Sequence, residues 1–156
     1  MALNHKRGIY LKELNTKHQI NIIPIKIDNT DMSWDVVLFN SKQHIKDLSE
    51  LDEDQLETMD FNDVFEHSFA EIKKDETYRE IVGEGFSIDY CVSEPSSNLM
   101  LSLYGEKAIH VLIELAKKQG WQIYDSGINA MIDLENPKNN GYKHHQKYVQ
   151  QILKQE

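Results

Sequence analysis

Apolar positions in this chain change period several times, and each change marks an element. Residues 20–27 read INIIPIKI, Ile-rich and β-branched, which predicts a strand. Pro24 inside it cannot donate to a ladder, so it belongs at an edge or a bulge. Trp34–Phe39, WDVVLF, is a second apolar strand after the polar NTDMS. Ser41 is placed to cap a short helix running to about Ser49. Phe61, Val64, Phe65, Phe69 and Ile72 then recur three to four residues apart, the stripe of a helix capped by Asp60. Val82-Gly83 and Glu84-Gly85 read as a turn.

Beyond that turn, Phe86, Ile88, Tyr90 and Val92 alternate with Ser87, Asp89 and Cys91, the period-two pattern of a strand with one wet face. Asn98–Tyr104 returns across the Glu94-Pro95-Ser96-Ser97 turn, predicting a hairpin with a loop of four or five residues. Gly105 opens the clearest helix, Glu106–Gln119, whose apolar face is Ala108, Ile109, Leu112, Ile113 and Ala116 and whose stop is Gly120. Trp121–Asp125 and Asn129–Leu134 predict a second hairpin, and Tyr142–Lys154 a last helix. Residues 1–19 are polar and weakly patterned, a short helix or an irregular arm.

The resulting order is β-β-α-α-β-β-α-β-β-α. Tight turns between successive strands favour antiparallel pairing. The expected fold class is α+β: a mixed, mainly antiparallel sheet with helices packed mostly on one face. Residues 1–31 are expected to form an N-terminal arm and edge strand, and residues 32–156 a single α+β domain.

Length and composition narrow the function. A chain of 156 residues suits one ordinary domain. Such a domain buries roughly 70% of its unfolded surface and needs no staple. Cys91 is the only cysteine, which excludes an intramolecular disulfide and fits a reducing compartment. No apolar run reaches the roughly 18–20 residues of a membrane helix, and the N-terminus lacks the apolar core of a secretory signal. The expected location is the cytoplasm, with no membrane partner.

The net charge of −9 is unevenly spread. Asp47, Glu50, Asp52, Glu53, Asp54, Glu57, Asp60, Asp63, Glu66 and Glu71 follow one another with no Lys or Arg between them. Such a surface repels phosphate backbones, which argues against nucleic acid and for a basic protein partner, unless these acids are simply a solvated helical face.

Catalytic motifs are sparse. Gly83-Glu84-Gly85 precedes a strand rather than a helix and lacks the third glycine of a dinucleotide site. There is no phosphate loop of the G-x-x-x-x-G-K-[ST] type and no nucleophile elbow. The histidines are scattered, apart from His144-His145, which point about 100° apart on a helix. Glu66, His67 and Glu71 would make at most a weak metal site, so no metal and no cofactor is expected. Asp125 and Asp133, on the two arms of the last hairpin, are the weak candidates for acid–base catalysis. Around them cluster Trp121, Tyr124, Asn129, Asn136, Asn140 and Tyr142.

The segments MSWDVVLFNS (32–41), IHVLIELAKKQGW and WQIYDSGINAMIDLENP resemble a class of small, uncharacterised bacterial α+β proteins, several of them associated with toxin–immunity loci. The resemblance covers residues 32–137. Its motifs are structural, so it implies a fold and an inhibitory role but transfers no active site.

Three functions remain open. The first is a non-catalytic acidic binding protein, an immunity-type inhibitor of a basic toxin domain, binding through Asp52, Glu53, Asp54, Glu57, Asp60 and Asp63. The second is a small enzyme using acid/base carboxylates at the 121–136 hairpin. The third is a regulatory adaptor, monomeric or paired as a homodimer along the Ile20–Ile27 edge.

Overall fold

The computed structural model describes residues 33–155. The N-terminal arm, the 20–27 strand and its Pro24 lie outside the described residues. The fold is α+β, with seven strands, β1 (Trp34–Phe39), β2 (Ile72–Asp75), β3 (Tyr78–Gly83), β4 (Phe86–Cys91), β5 (Asn98–Tyr104), β6 (Gln122–Asp125) and β7 (Ala130–Met131), in one sheet of order β2-β3-β4-β5-β1-β6-β7. Every pairing among the described residues is antiparallel, as the tight turns favour.

The first strand, β1 (Trp34–Phe39), is buried at all six positions because it is paired on both sides. Its apolar run, broken only by Asp35, suits a strand covered on two faces. Trp34, Val36 and Leu38 point to the helical side; Val37 and Phe39 point to the other. Next to β1 lie β5 (Asn98–Tyr104) and β6 (Gln122–Asp125).

The predicted helix from Ser41 does not form. Ser41 bridges to Leu56, and between them the chain makes only two 3-10 turns, Leu48–Glu50 and Glu53–Gln55. Asp47 accepts from the Ser49 N–H (2.9 Å) and Asp52 from the Asp54 N–H (3.0 Å). These local side-chain bonds compete with a continuing helix. The segment is pinned to β6 by Gln122, which donates to the Gln43 carbonyl (2.7 Å) and accepts from the Ile45 N–H (2.8 Å). Ile45 and Leu48 thereby cover Val37, Phe39 and Tyr124.

Helix α1 (Phe61–Ser68) starts at Asp60, whose carboxylate accepts the Asp63 N–H at 3.1 Å. Phe61 and Phe65 meet Trp121 with ring centroids 4.9 and 5.9 Å away. The apolar stripe outruns the helix: Phe69 is already extended, and Ile72 opens β2 (Ile72–Asp75). β2 and β3 (Tyr78–Gly83) form a hairpin in the register Ile72↔Ile81. Glu76 takes positive φ at its turn. Glu84-Gly85 then turns β3 into β4 (Phe86–Cys91), as their composition predicts.

The ladder between β4 and β5 forms but stops at Asp89↔Ser102. Tyr90, on the same face as Ile88, packs on α1: its ring lies 4.9 Å from Phe65, and its hydroxyl donates to Asn62 Oδ1 at 2.7 Å. Met59 bridges to Ser96, just before β5. Helix α2 (Glu106–Gln119) runs between Gly105 and the left-handed Gly120 as expected and buries its apolar face on the sheet. β7 is only Ala130–Met131, shorter than the predicted 129–134 strand. Helix α3 (Tyr142–Gln155) closes the fold.

Candidate functional site

Asp125 is fully buried at the end of β6. Trp34 Nε1 and the Gly127 N–H donate to its Oδ1 at 2.7 and 2.8 Å; the Gly141 N–H donates to its Oδ2 at 2.7 Å. The Ile128 N–H adds a further bond. Burial pushes this carboxyl above the ordinary range, against the opposing pull of these donors. Asp125 thus ties β1, the β6–β7 turn and the start of α3 together, and both its oxygens are occupied by the protein's own N–H groups. Asp133 is exposed and accepts the Glu135 N–H at 3.0 Å, an Asx turn. The two candidate carboxylates of the last hairpin therefore occupy unlike environments, one locked inside and one in solvent.

The six acids expected to bind a partner are divided by the sheet. Asp52, Glu53 and Asp54 ride on the 3-10 segment that covers the Val37–Phe39 face. Asp60 and Asp63 belong to the start of α1, on the helical face. Glu57 lies between the two bridges at the end of the sheet, within 3.8 Å of Lys42. Asp52, Asp54, Glu57, Asp60 and Asp63 are all exposed. They form a rim around one end of the molecule rather than one flank of a helix.

A further group becomes visible only in the strand register. On the face opposite the helices, the described apolar cluster stops at Met100. Farther out, Glu80, Asp89, Ser102 and Asp35 stand directly opposite one another across β3, β4, β5 and β1. Like charges in cross-strand positions repel, so the Glu80–Asp89 pair costs stability. Lys73 faces Glu80 from the outer strand, while the cross-strand neighbours of Asp89 are Glu80 and Ser102.

Tyr78 and Tyr104 flank Asp89 diagonally, one from each neighbouring strand, and both hydroxyls hydrogen-bond to its carboxyl. Each tyrosine is 42% exposed. Asp89 Oδ1 is buried with no hydrogen-bond partner among the described residues. Burial raises the Asp89 carboxyl, and Glu80 raises it further, while the two tyrosines pull it down. The Tyr78 hydroxyl is raised by burial and by its bond to Asp89. At the inner end of the row, Asp35 is buried and accepts Ser33 Oγ (3.0 Å) and Ser102 Oγ (2.8 Å).

No protein family, curated protein or solved structure matches this chain. Among the described residues no group of three or more His, Cys, Asp or Glu could hold a metal ion. No described helix is long and apolar enough to cross a membrane.

Sequence reasoning missed the Tyr78–Glu80–Asp89–Tyr104 group. The alternation in 86–92 put Asp89 on the wet face of its strand, but β3 was not read as a strand, and only its register sets Glu80 beside Asp89.

Proposed function

We propose that this protein is a non-catalytic acidic binding protein that covers a basic surface of another protein, in the manner of an immunity-type inhibitor. The observation that carries the reading is the acidic rim. Asp52 and Asp60 fix their own backbone by capping, and the bridges Ser41↔Leu56 and Met59↔Ser96 fasten the chain between them. Exposed carboxylates on a backbone held in this way are preorganised, so less ordering entropy is lost on binding. Their field steers a basic partner into encounter. The environment of Asp125 favours the same reading over catalysis at the last hairpin, because its oxygens already hold the fold together. A lone, half-buried Cys91 fits a partner met in the reducing cytoplasm.

The test is affinity capture from cells that carry the gene, with the wild-type chain and an Asp52→Lys, Glu53→Lys, Asp54→Lys, Glu57→Lys variant. The wild type should retain a basic protein that salt releases, and stoichiometric addition of this chain should suppress that protein's activity. The variant should lose it. Equal retention by both, or a captured protein whose activity is unaffected, refutes the reading.

A further inference from the structure

Resting on the binding reading above, the geometry points to the β3–β4–β5 part of the sheet face as the docking surface, taking a lysine- or arginine-bearing segment of the partner whose cationic side chain lies over Asp89 between Tyr78 and Tyr104. Asp89 has a carboxylate on one cross-strand side and a serine on the other, so no neighbour across either ladder neutralises it. Asp89 is half-buried with Glu80 beside it, so a cation set over the pair meets two carboxylates at close range. The flanking tyrosines, each exposed, place aromatic surface beside the charge, and their hydroxyls already hydrogen-bond to the carboxylate. Large, rigid aromatic residues around a charge are the composition of binding hot spots.

Rim and face divide the work. Asp52, Glu53 and Asp54 border the same side of the sheet, where long-range charge raises the association rate. Tyr78, Asp89 and Tyr104 make the short-range contacts that set dissociation. The Glu80–Asp89 repulsion, a cost in the free protein, is relieved when a cation arrives.

The experiment is a titration of isotope-labelled protein with tetra-arginine at low salt, followed by NMR, with tetra-glutamate as control. Tetra-arginine should shift the signals of Tyr78, Glu80, Asp89 and Tyr104. Asp89→Asn should weaken binding about tenfold, the loss of one close charge pair. Glu80→Gln, at a half-exposed position, is the second variant should Asp89→Asn not fold, and should weaken binding several-fold. Tyr78→Phe should keep most of the affinity and Tyr78→Ala lose it. Shifts confined to residues 52–63, with Asp89→Asn and Glu80→Gln unchanged, would overturn the docking face and leave the acidic-binder reading intact. Equal response to tetra-glutamate, or no response to tetra-arginine, would also overturn it. Failure of the acidic-binder reading itself shows separately, in the cell capture.

Discussion

The backbones of Gly127 and Gly141 touch. A Cβ built on Gly127 would lie 2.7 Å from the Gly141 Cα, and one on Gly141 would lie 2.6 Å from the Gly127 Cα and 2.6 Å from Asp125 Oδ1. Neither glycine needs an unusual φ; each is required by proximity. Gly141→Ala should therefore destabilise the protein by about 1–3 kcal/mol, the cost of overpacking a close contact. Denaturant unfolding measures the loss. Hydrogen exchange should show it first as faster exchange in α3, whose start is held there.

Asp125 should behave as a structural residue. Asp125→Ala leaves Trp34 Nε1 and two glycine N–H groups without an acceptor, and should cost about 3 kcal/mol or more. Asp125→Asn, although of the same shape, turns an amide NH2 toward N–H donors and should still cost about 2 kcal/mol. Binding of a basic partner by the folded fraction should be unchanged. A variant of full stability would contradict this role.

Asp89 should behave in the opposite way. Glu80→Gln or Asp89→Asn removes a like-charge cross-strand pair and should raise stability at neutral pH by about 0.2–1 kcal/mol. The sign of the pH effect follows from the raised carboxyl. Between the unfolded pKa and the higher folded one, the native state binds more proton, so this group's contribution grows as pH falls through the folded value. Subtracting the Asp89→Asn stability curve from the wild-type curve should isolate that slope. A difference curve that falls with acidification would refute the assignment. Gain of stability with loss of binding is the expected signature of a functional residue.

Phe65 is fully buried and touches Trp121, Tyr90 and Phe69. Phe65→Ala should cost about 3–5 kcal/mol through lost burial and the cavity left behind. Because Tyr90 packs on Phe65, the variant should also loosen the end of β4 around Tyr90 in hydrogen exchange.

What the sequence determined by itself was local. The largely apolar run of 34–39, the alternation of 86–92 and the stripe of 106–119 between Gly105 and Gly120 each carry their own pattern, and each became the expected element. The α+β class follows from those elements and their tight turns. Where local signals competed, tertiary contact decided. Ile72 continued the phenylalanine stripe on paper but pairs with Ile81 in a hairpin. The stretch after Ser41 had a cap and apolar residues, yet its aspartates bond their own backbone and Gln122 ties it across the sheet. The candidate site needed more still. Trp34 and Gly141 reach Asp125 across 91 and 16 residues, and Glu80 meets Asp89 only through register. A periodic pattern states which face a residue occupies; only packing and pairing of distant segments state what stands opposite it, and the chemistry of this protein lies in those oppositions.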